Sequence, residues 1–321
     1  MNESLEPGIR VRVDPTNPGQ FFACCGLLEL ADRLWGGVEG WYAHDGPFFC
    51  LSLLGAGNPS IADLIREAAR AGLAGELSPV LQREREALEE KRRQLKREQK
   101  ALAADEEERR KELGSLLREG FIMIRKPFDL LLDWWQWDGD DIPKTWAGRQ
   151  EVLRIALAAL ASSQQAFTTE SPFDYWCVLR PVAQDAVPLE GASKRKGQIR
   201  KKEPEKDKVE PFYFDSRRGS SARPIDIGFA PDSLHSLGMT SAAYPAVEFL
   251  CLVGLQRFRP SATGKPRVFD YYTWRSPLAA CVAPLAVCGL LDRAGNQGFR
   301  FENAFRTDQR KHKGFTAATP I

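Results

Sequence analysis

Histidine is scarce in this chain, which holds only His44, His235 and His312 among its 321 residues. The three lie far apart in sequence. None forms an H-x-x-x-H pair or an H-x-E arrangement, which would bring two functional groups to one helix face. Phosphate-binding G-x-x-x-x-G-K-[ST] loops, dinucleotide-binding G-x-G-x-x-G loops and the G-x-S-x-G turn of serine hydrolases are absent as well. We therefore expect no catalytic site, no cofactor and no bound metal.

A large net charge, long apolar runs and paired cysteines are also missing. The 45 basic and 43 acidic residues leave a net charge of +2, so an anionic partner must be held by local patches. The seven cysteines show neither a disulfide framework nor zinc-ligand spacing, which favours buried thiols in a reducing compartment. The first residues lack the apolar segment of a signal peptide, and no uncharged apolar run reaches about 18 residues. The expected location is cytoplasmic, without a membrane partner.

The pattern of apolar residues predicts the fold class. Hydrophobic residues make up 43% of the chain, enough for a sizeable core. Segments typical of strands and helices follow one another without the regular alternation of a doubly wound sheet, so the sequence predicts an α+β fold. Residues 20–35 and 245–258 are apolar on most faces and predict two buried helices. The small residues 23–26 predict that another backbone packs closely against the first of them.

Residues 77–118 form a charged helical insertion. Leu81, Leu88, Leu95 and Leu102 recur every seven residues and would form one narrow stripe on a helix. Charged residues occupy the second heptad position, which a coiled-coil seam would avoid. The segment therefore predicts a long solvated helix, or a helical hairpin that bends near 103–105, with the leucine stripe resting on another surface.

A change of composition divides the chain. Residues 191–210 contain almost no apolar side chain and predict a flexible, disordered basic linker. It separates an N-terminal α+β domain, 1–190, from a C-terminal α+β region, 211–321. The tail of that region, from Arg306 onward, is basic and is expected to be loose.

Three basic segments are candidates for contacts with nucleic acid. Phosphate binding needs exposed Lys and Arg, and the release of counterions supplies the binding energy. The second and third segments flank aromatic residues, which suits a surface that follows the backbone and stacks on bases. The alternative is that the linker is merely solvated and that the arginines pair with local acids. The candidate residues are Lys194, Arg195, Lys196, Arg200, Lys201 and Lys202; Arg217, Arg218 and Arg223; and Arg257, Arg259, Lys265 and Arg267.

Several stretches, taken together, carry a family resemblance. They are DPTNPGQFFACCGLLELADRLW at 14–35, LLLDWW at 130–135, KTWAGRQ at 144–150, FYFDSRRGSSARPIDIGFAPDSL at 212–234 and YPAVEFLCLVGLQRFRP at 244–260. In this order they resemble the Csb-type CRISPR-associated proteins, and they cover most of the chain except the charged helix and the linker.

The resemblance implies a non-catalytic large subunit of a type I-U/I-G Cascade interference complex, active in antiviral defence. Its implied partners are crRNA, target double-stranded DNA, the backbone subunit, the repeat-processing subunit and a helicase-nuclease recruited on target binding. Such a subunit helps to recognise the protospacer-adjacent motif, while guide pairing reads most of the sequence. The small net charge agrees with an affinity that is shared among subunits.

Two other functions stay open at the level of sequence. The chain could be a CRISPR RNA-processing endonuclease, for which His44 or His235 would be the general acid or base. It could also be a protein scaffold without direct nucleic-acid contact, in which the leucine stripe docks another protein.

Overall fold

A computed structural model describes residues 7–53, 60–76, 79–98, 100–136, 141–146, 151–182, 209–218, 242–291, 295–306 and 312–321. These ranges contain seven α-helices and twelve strands, and the strands form three antiparallel sheets. The arrangement confirms the predicted α+β class. The helices are α1 (Pro18–Trp35), α2 (Ile61–Ala71), α3 (Pro79–Arg97), α4 (Ala104–Glu119), α5 (Val152–Ala166), α6 (Pro245–Arg257) and α7 (Ala283–Val287).

Each sheet draws on a different part of the chain. The N-terminal sheet has the order β1 (Ile9–Arg12), β3 (Phe48–Leu53), β2 (Val38–Tyr42) and β9 (Leu278–Ala279). The middle sheet has the order β4 (Leu73–Glu76), β5 (Phe121–Ile124) and β6 (Leu130–Leu132). The C-terminal sheet has the order β11 (Lys313–Phe315), β10 (Gln297–Phe305), β8 (Val268–Thr273) and β7 (Ser261–Ala262), and β12 (Thr319–Pro320) also pairs with β10.

Helices α1 and α6 pack against each other in the core. Asn17 caps α1 by accepting a hydrogen bond from the backbone N of Gly19 at 3.1 Å. The two helices approach most closely at two glycines. A Cβ on Gly26 would lie 2.0 Å from the carbonyl oxygen of Leu250, and a Cβ on Gly254 would lie 2.0 Å from that of Phe22. The predicted close approach of a second backbone at the small residues of α1 is therefore confirmed.

One hydrophobic core spans both sides of the predicted linker. Strand β9 pairs with β2 through Gly40 and Leu278, and the indole N–H of Trp274 donates to the carbonyl of Gly40 at 2.6 Å. A single cluster of buried side chains includes Phe21 and Phe49 as well as Phe249. Residues 183–208 lie outside the described residues, so the linker and the domain division based on it stay predictions.

The charged insertion is a helical hairpin. Helices α3 and α4 flank the predicted bend and are joined by ion pairs, among them Arg109 Nε to Glu84 Oε1 at 2.7 Å and Lys91 Nζ to Glu106 Oε1 at 2.5 Å. Leu113 of α4 is fully buried. The hairpin emerges between two paired strands, since Glu76 of β4 lies opposite Phe121 of β5.

Two predicted elements are wrong. The apolar run 278–291 predicts one helix, whereas the structure has strand β9, then the short helix α7, and a turn at Gly289 with a φ of 72°. Pro284 lacks a backbone N–H and fits only the first turn of a helix, so the helix starts late. The tail predicted to be loose contains β11 and β12, because Phe315 and Ala318 are buried in the core.

Candidate nucleic-acid interface

The linker residues and Arg223 fall outside the part of the chain that the structure describes, and their contacts with nucleic acid stay predictions. These residues are Lys194, Arg195, Lys196, Arg200, Lys201, Lys202 and Arg223. The other candidates, Arg217, Arg218, Arg257, Arg259, Lys265 and Arg267, lie in described segments.

Arg217 reaches the surface, but its guanidinium is bound by groups of the protein itself. Its Nε and Nη2 donate to the two carboxylate oxygens of the buried Asp215 at 2.9 and 2.8 Å, and its Nη1 donates to Asp174 at 2.7 Å. The guanidinium also lies 3.6 Å above the ring of Tyr244. A guanidinium with these partners stabilises the segment 209–218 rather than meeting a phosphate. Arg218 is half-buried, and its backbone N donates to the carbonyl of Asp215 at 2.9 Å.

Arg257 has a similar internal role. Its Nε lies 3.1 Å from Oε2 of Glu29, a carboxylate that is only 1% exposed. Arg33 holds the other oxygen of Glu29 at 2.6 Å and donates to the carbonyls of Phe128 and Asp129 at 3.0 Å each. For Arg217 and Arg257 the contacts thus favour the alternative in which the arginines pair with local acids.

Two carboxyl groups lie buried near Arg217. Asp215 accepts hydrogen bonds from the side chain of Asn17 at 2.9 Å as well as from Arg217. Burial raises the pKa of Glu248 to about 8, and the neighbouring negative charge of Asp215 adds to the effect. Glu248 is 1% exposed, so it is a protonated structural group at neutral pH and lies out of reach of a substrate.

The turn between β7 and β8 carries Lys265 and Arg267 to one end of the C-terminal sheet. Lys265 is exposed, and no described carboxylate pairs with it. Arg267 adopts a φ of 62° and presents its carbonyl to the backbone N of Asn303 on β10 at 2.8 Å. The turn therefore lies beside the C-terminal part of β10. Arg259 is exposed at the opposite end of the short strand β7, so the structure separates it from Lys265.

Three further cations meet the turn at the same end of the sheet. The backbone N of Arg306 donates to the carbonyl of His312 at 2.8 Å, and the backbone N of Lys313 donates to that of Thr145 at 2.8 Å. The side chain of Asn303 donates to the carbonyl of Lys144 at 2.9 Å. We name this region the basic sheet end, and its cationic residues are Lys144, Lys265, Arg267, Arg306 and Lys313.

Aromatic rings support the cations of the basic sheet end. Three pairs show a cation over a ring: Lys144 and Trp146 at 5.7 Å, Arg267 and Phe305 at 4.7 Å, and Arg306 and Tyr213 at 3.1 Å. A ring supports a cation without neutralising its charge, so the group can still attract an anion.

Two residues at the basic sheet end have unusual backbone angles, and acidic side chains are also present there. Glu302 on β10 is exposed, and Glu210 accepts a hydrogen bond from the Tyr213 hydroxyl. Tyr213 has a φ of 65°, close to that of Arg267, in a region that non-glycine residues rarely occupy. Such conformations cluster at functional sites.

The sequence led to only part of this site. Lys265 and Arg267 were candidates, whereas Arg306 and Lys313 stood out only as members of a basic tail. Lys144 gave no signal, because it is a single lysine without an adjacent basic residue. Strand pairing together with the hydrogen bonds to Lys144 and Thr145 brings the three segments together.

Two of the three histidines lie in described segments, at different places in the structure. His235 lies outside the described residues, His312 is at the basic sheet end, and His44 is near Gly295, at 3.9 Å from the position that a Cβ there would take. In the described ranges, no three His, Cys, Asp or Glu residues are grouped to hold a metal ion. No helix within those ranges is both long enough and apolar enough to cross a membrane.

Comparison with known proteins gives no further assignment. No protein-family model, curated protein or solved structure matches the chain.

Proposed function

We propose that this protein is a non-catalytic, cytoplasmic subunit of a crRNA-guided interference complex of the Cascade type, and that it binds nucleic acid through the basic sheet end. The observation that carries the proposal is that strand pairing and hydrogen bonds bring together cations from three parts of the chain that are distant in sequence: Lys144, Lys265 with Arg267, and Arg306 with Lys313. A cluster of cations with aromatic support suits a polyanionic backbone.

The charge distribution supports binding of nucleic acid together with other subunits rather than by this chain alone. The whole chain has a net charge of +2, so repulsion and attraction nearly cancel away from the basic sheet end. About three phosphate contacts would make the affinity fall about 40-fold between 50 and 200 mM salt. We expect weak, salt-sensitive binding by the isolated chain and tight binding only together with crRNA and the other subunits.

The family part of the proposal depends on the resembling stretches. Residues 14–35 and 244–260 contain α1 and α6, and 212–218 is joined to α1 through Asn17 and Asp215. The resemblance therefore concerns segments that build the core. By analogy, the implied role is a contribution to the recognition of the protospacer-adjacent motif and to target DNA binding, next to the backbone and repeat-processing subunits and before the helicase-nuclease is recruited.

Charge reversal at two lysines of the site, the exposed Lys265 and the half-buried Lys313, tests the proposal. In the assembled complex, we expect Lys265→Glu combined with Lys313→Glu to weaken the binding of target duplex DNA at least tenfold and to reduce its salt dependence. The matched control is Arg12→Glu, a reversal at an exposed position of the N-terminal sheet, which should stay within about twofold of the wild type. Fluorescence anisotropy at several salt concentrations measures both effects.

Two outcomes would contradict the proposal. Unchanged target binding after the double reversal would favour the scaffold without nucleic-acid contact. Cleavage of repeat RNA by the purified wild-type chain, lost on His44→Ala or His235→Ala, would favour the processing endonuclease.

A further inference from the structure

Arg306 differs from the other well-placed arginines of this protein. In Arg109, Arg217 and Arg300, the Nε and Nη2 atoms donate side by side to the two oxygens of one carboxylate, at distances of 2.7–2.9 Å. This side-on pair of donors matches an oxyanion with two available oxygens. In Arg306, the same two nitrogens are buried and have no acceptor among the residues that the structure describes.

The position of Arg306 favours an anion at this pair of nitrogens. The ring of Tyr213 covers one face of the guanidinium, with its centre 3.1 Å from Cζ, and so holds the plane of the donors. A buried donor without an acceptor is costly, and a charged one more so, which an incoming oxyanion would relieve.

We propose that Nε and Nη2 of Arg306 bind one phosphate group of a nucleic-acid chain through two parallel hydrogen bonds. The inference deepens the proposed function and rests on it, because it names the phosphate contact within the basic sheet end. A phosphate group presents two oxygens to such a pair of donors as a carboxylate does, and a nucleic-acid chain supplies one phosphate at every nucleotide. Both nitrogens are shielded from solvent, so the phosphate must displace neighbouring side chains, and its hydrogen bonds offset that displacement.

Shielded polar atoms accompany the site on neighbouring segments. The hydroxyl oxygen of Thr145 and the side-chain oxygen of Asn303 are buried and have no hydrogen-bond partner within the described ranges. Thr145 lies on the segment whose carbonyl accepts a hydrogen bond from Lys313. The Asn303 oxygen is an acceptor and cannot bind an anion, so it is the two donor nitrogens of Arg306 that favour an anion site.

Two substitutions separate the charge of Arg306 from its geometry. Arg306→Lys keeps the charge but loses the paired donors, so we expect a five- to tenfold weaker affinity for a 5′-hydroxyl DNA or RNA oligonucleotide with nearly unchanged salt dependence. Arg306→Gln should weaken binding further and lower the salt slope by about one unit. The matched control, Arg300→Lys, alters an arginine of β10 that already pairs with Asp270, and it should stay within twofold.

A comparison of oligonucleotides with a 5′-hydroxyl and with a 5′-phosphate shows whether the bound phosphate is internal or terminal. An equal loss with 5′-hydroxyl and 5′-phosphate oligonucleotides assigns an internal phosphodiester. A loss confined to the 5′-phosphate form assigns a terminal phosphate. Either result supports the site, provided that circular dichroism shows each variant to be folded. Affinities of both variants equal to that of the wild type would overturn the inference while leaving the proposed function intact.

A direct measurement separates failure of the site from failure of the function. The ring of Tyr213 should shift the Nε–H signal of Arg306 upfield in a ¹⁵N–¹H spectrum, and the loss of that signal in Arg306→Lys identifies it. Titration of the wild type with inorganic phosphate should move this signal to saturation. If phosphate shifts this signal but the protein binds no oligonucleotide, the result would contradict the proposed function and support the anion site at Arg306. A signal that stays fixed under both phosphate and oligonucleotide would sink the site.

Discussion

At the scale of single residues, Gly26 and Gly254 set the distance between α1 and α6. A side chain at either position would overlap a backbone carbonyl of the other helix at 2.0 Å, and backbone cannot move aside as the end of a flexible side chain can. The close approach buries both helices almost completely. The two glycines are therefore requirements of packing.

A substitution of one of them should be severely destabilising. We expect Gly254→Ala to lower the free energy of unfolding by about 2–4 kcal/mol, because the added methyl group forces the helices apart. The matched control is Gly114→Ala in α4, where a Cβ meets no atom within 4 Å. That change should raise stability by about 0.5–1 kcal/mol, since alanine favours the helix. Urea unfolding measures both, and equal effects of the two substitutions would contradict the packing argument.

Glu248 gives stability a dependence on pH. Burial, together with the charge of Asp215, raises its pKa to about 8 from an ordinary value of 4.5. The folded protein thus retains a proton that the unfolded chain loses, and the contribution of Glu248 to stability falls as the pH rises from about 4.5 to 8. The fall is at most about 1.4 kcal/mol per pH unit.

Glu248→Gln should remove this dependence. Relative to the wild type, we expect the variant to gain stability as the pH is raised from 5 to 8, because glutamine stays neutral throughout. Glu170→Gln, at an exposed position away from the buried carboxyl groups, serves as the control for the removal of one carboxylate. Parallel profiles for wild type and Glu248→Gln in urea unfolding would show that Glu248 is ionised in the folded protein.

At the scale of elements, the hairpin of α3 and α4 is an insertion into a pair of strands. Its exposed ion pairs contribute little to stability, since each is worth about 0–1 kcal/mol in solvent. Strands β4 and β5 are already in register at its base, where Glu76 faces Phe121. Among the described side chains of the hairpin, Leu113 is the one that is fully buried.

The hairpin should therefore be removable. We expect replacement of residues 77–120 by Asn-Gly, which forms a tight turn between antiparallel strands, to leave a folded protein that is less stable by under about 3 kcal/mol. Leu113→Ala in the full chain gives the share of the loss due to packing. A variant without cooperative unfolding in urea would contradict this description. If the variant without the hairpin still binds nucleic acid, the hairpin is not needed for binding at the basic sheet end.

Elements differ in how far the sequence predicts them. The two buried helices and the hairpin could be predicted, since apolar faces, small residues and heptads are local signals. The strands β9, β11 and β12 could not, because two or three residues form a strand only when a partner is present. The same reason limits the prediction of the site: Lys265 lies in a recognisable basic segment, whereas the positions of Lys144 and Arg306 depend on pairing across the sheet.

At the scale of the whole molecule, segments from both sides of the predicted linker pack into one core. Strand β9 extends the N-terminal sheet, and α6 covers the glycine face of α1. We expect the fragment 1–190, produced alone, to lack near-ultraviolet circular dichroism and to bind a hydrophobic dye, as collapsed chains without fixed packing do. Addition of the fragment 191–321 should restore the native spectrum. Cooperative, native-like unfolding of 1–190 by itself would instead support two independent domains.

The position of α6 in the chain has a consequence for biosynthesis. A ribosome that adds about 5–20 residues per second needs tens of seconds to pass from α1 to α6. During that interval the apolar surface of α1 is exposed on the nascent polypeptide, because α6 has not yet been made. Aggregation or chaperone binding then competes with correct folding. Translation speed and chaperone supply, rather than final stability, should therefore govern how much of this protein a cell accumulates.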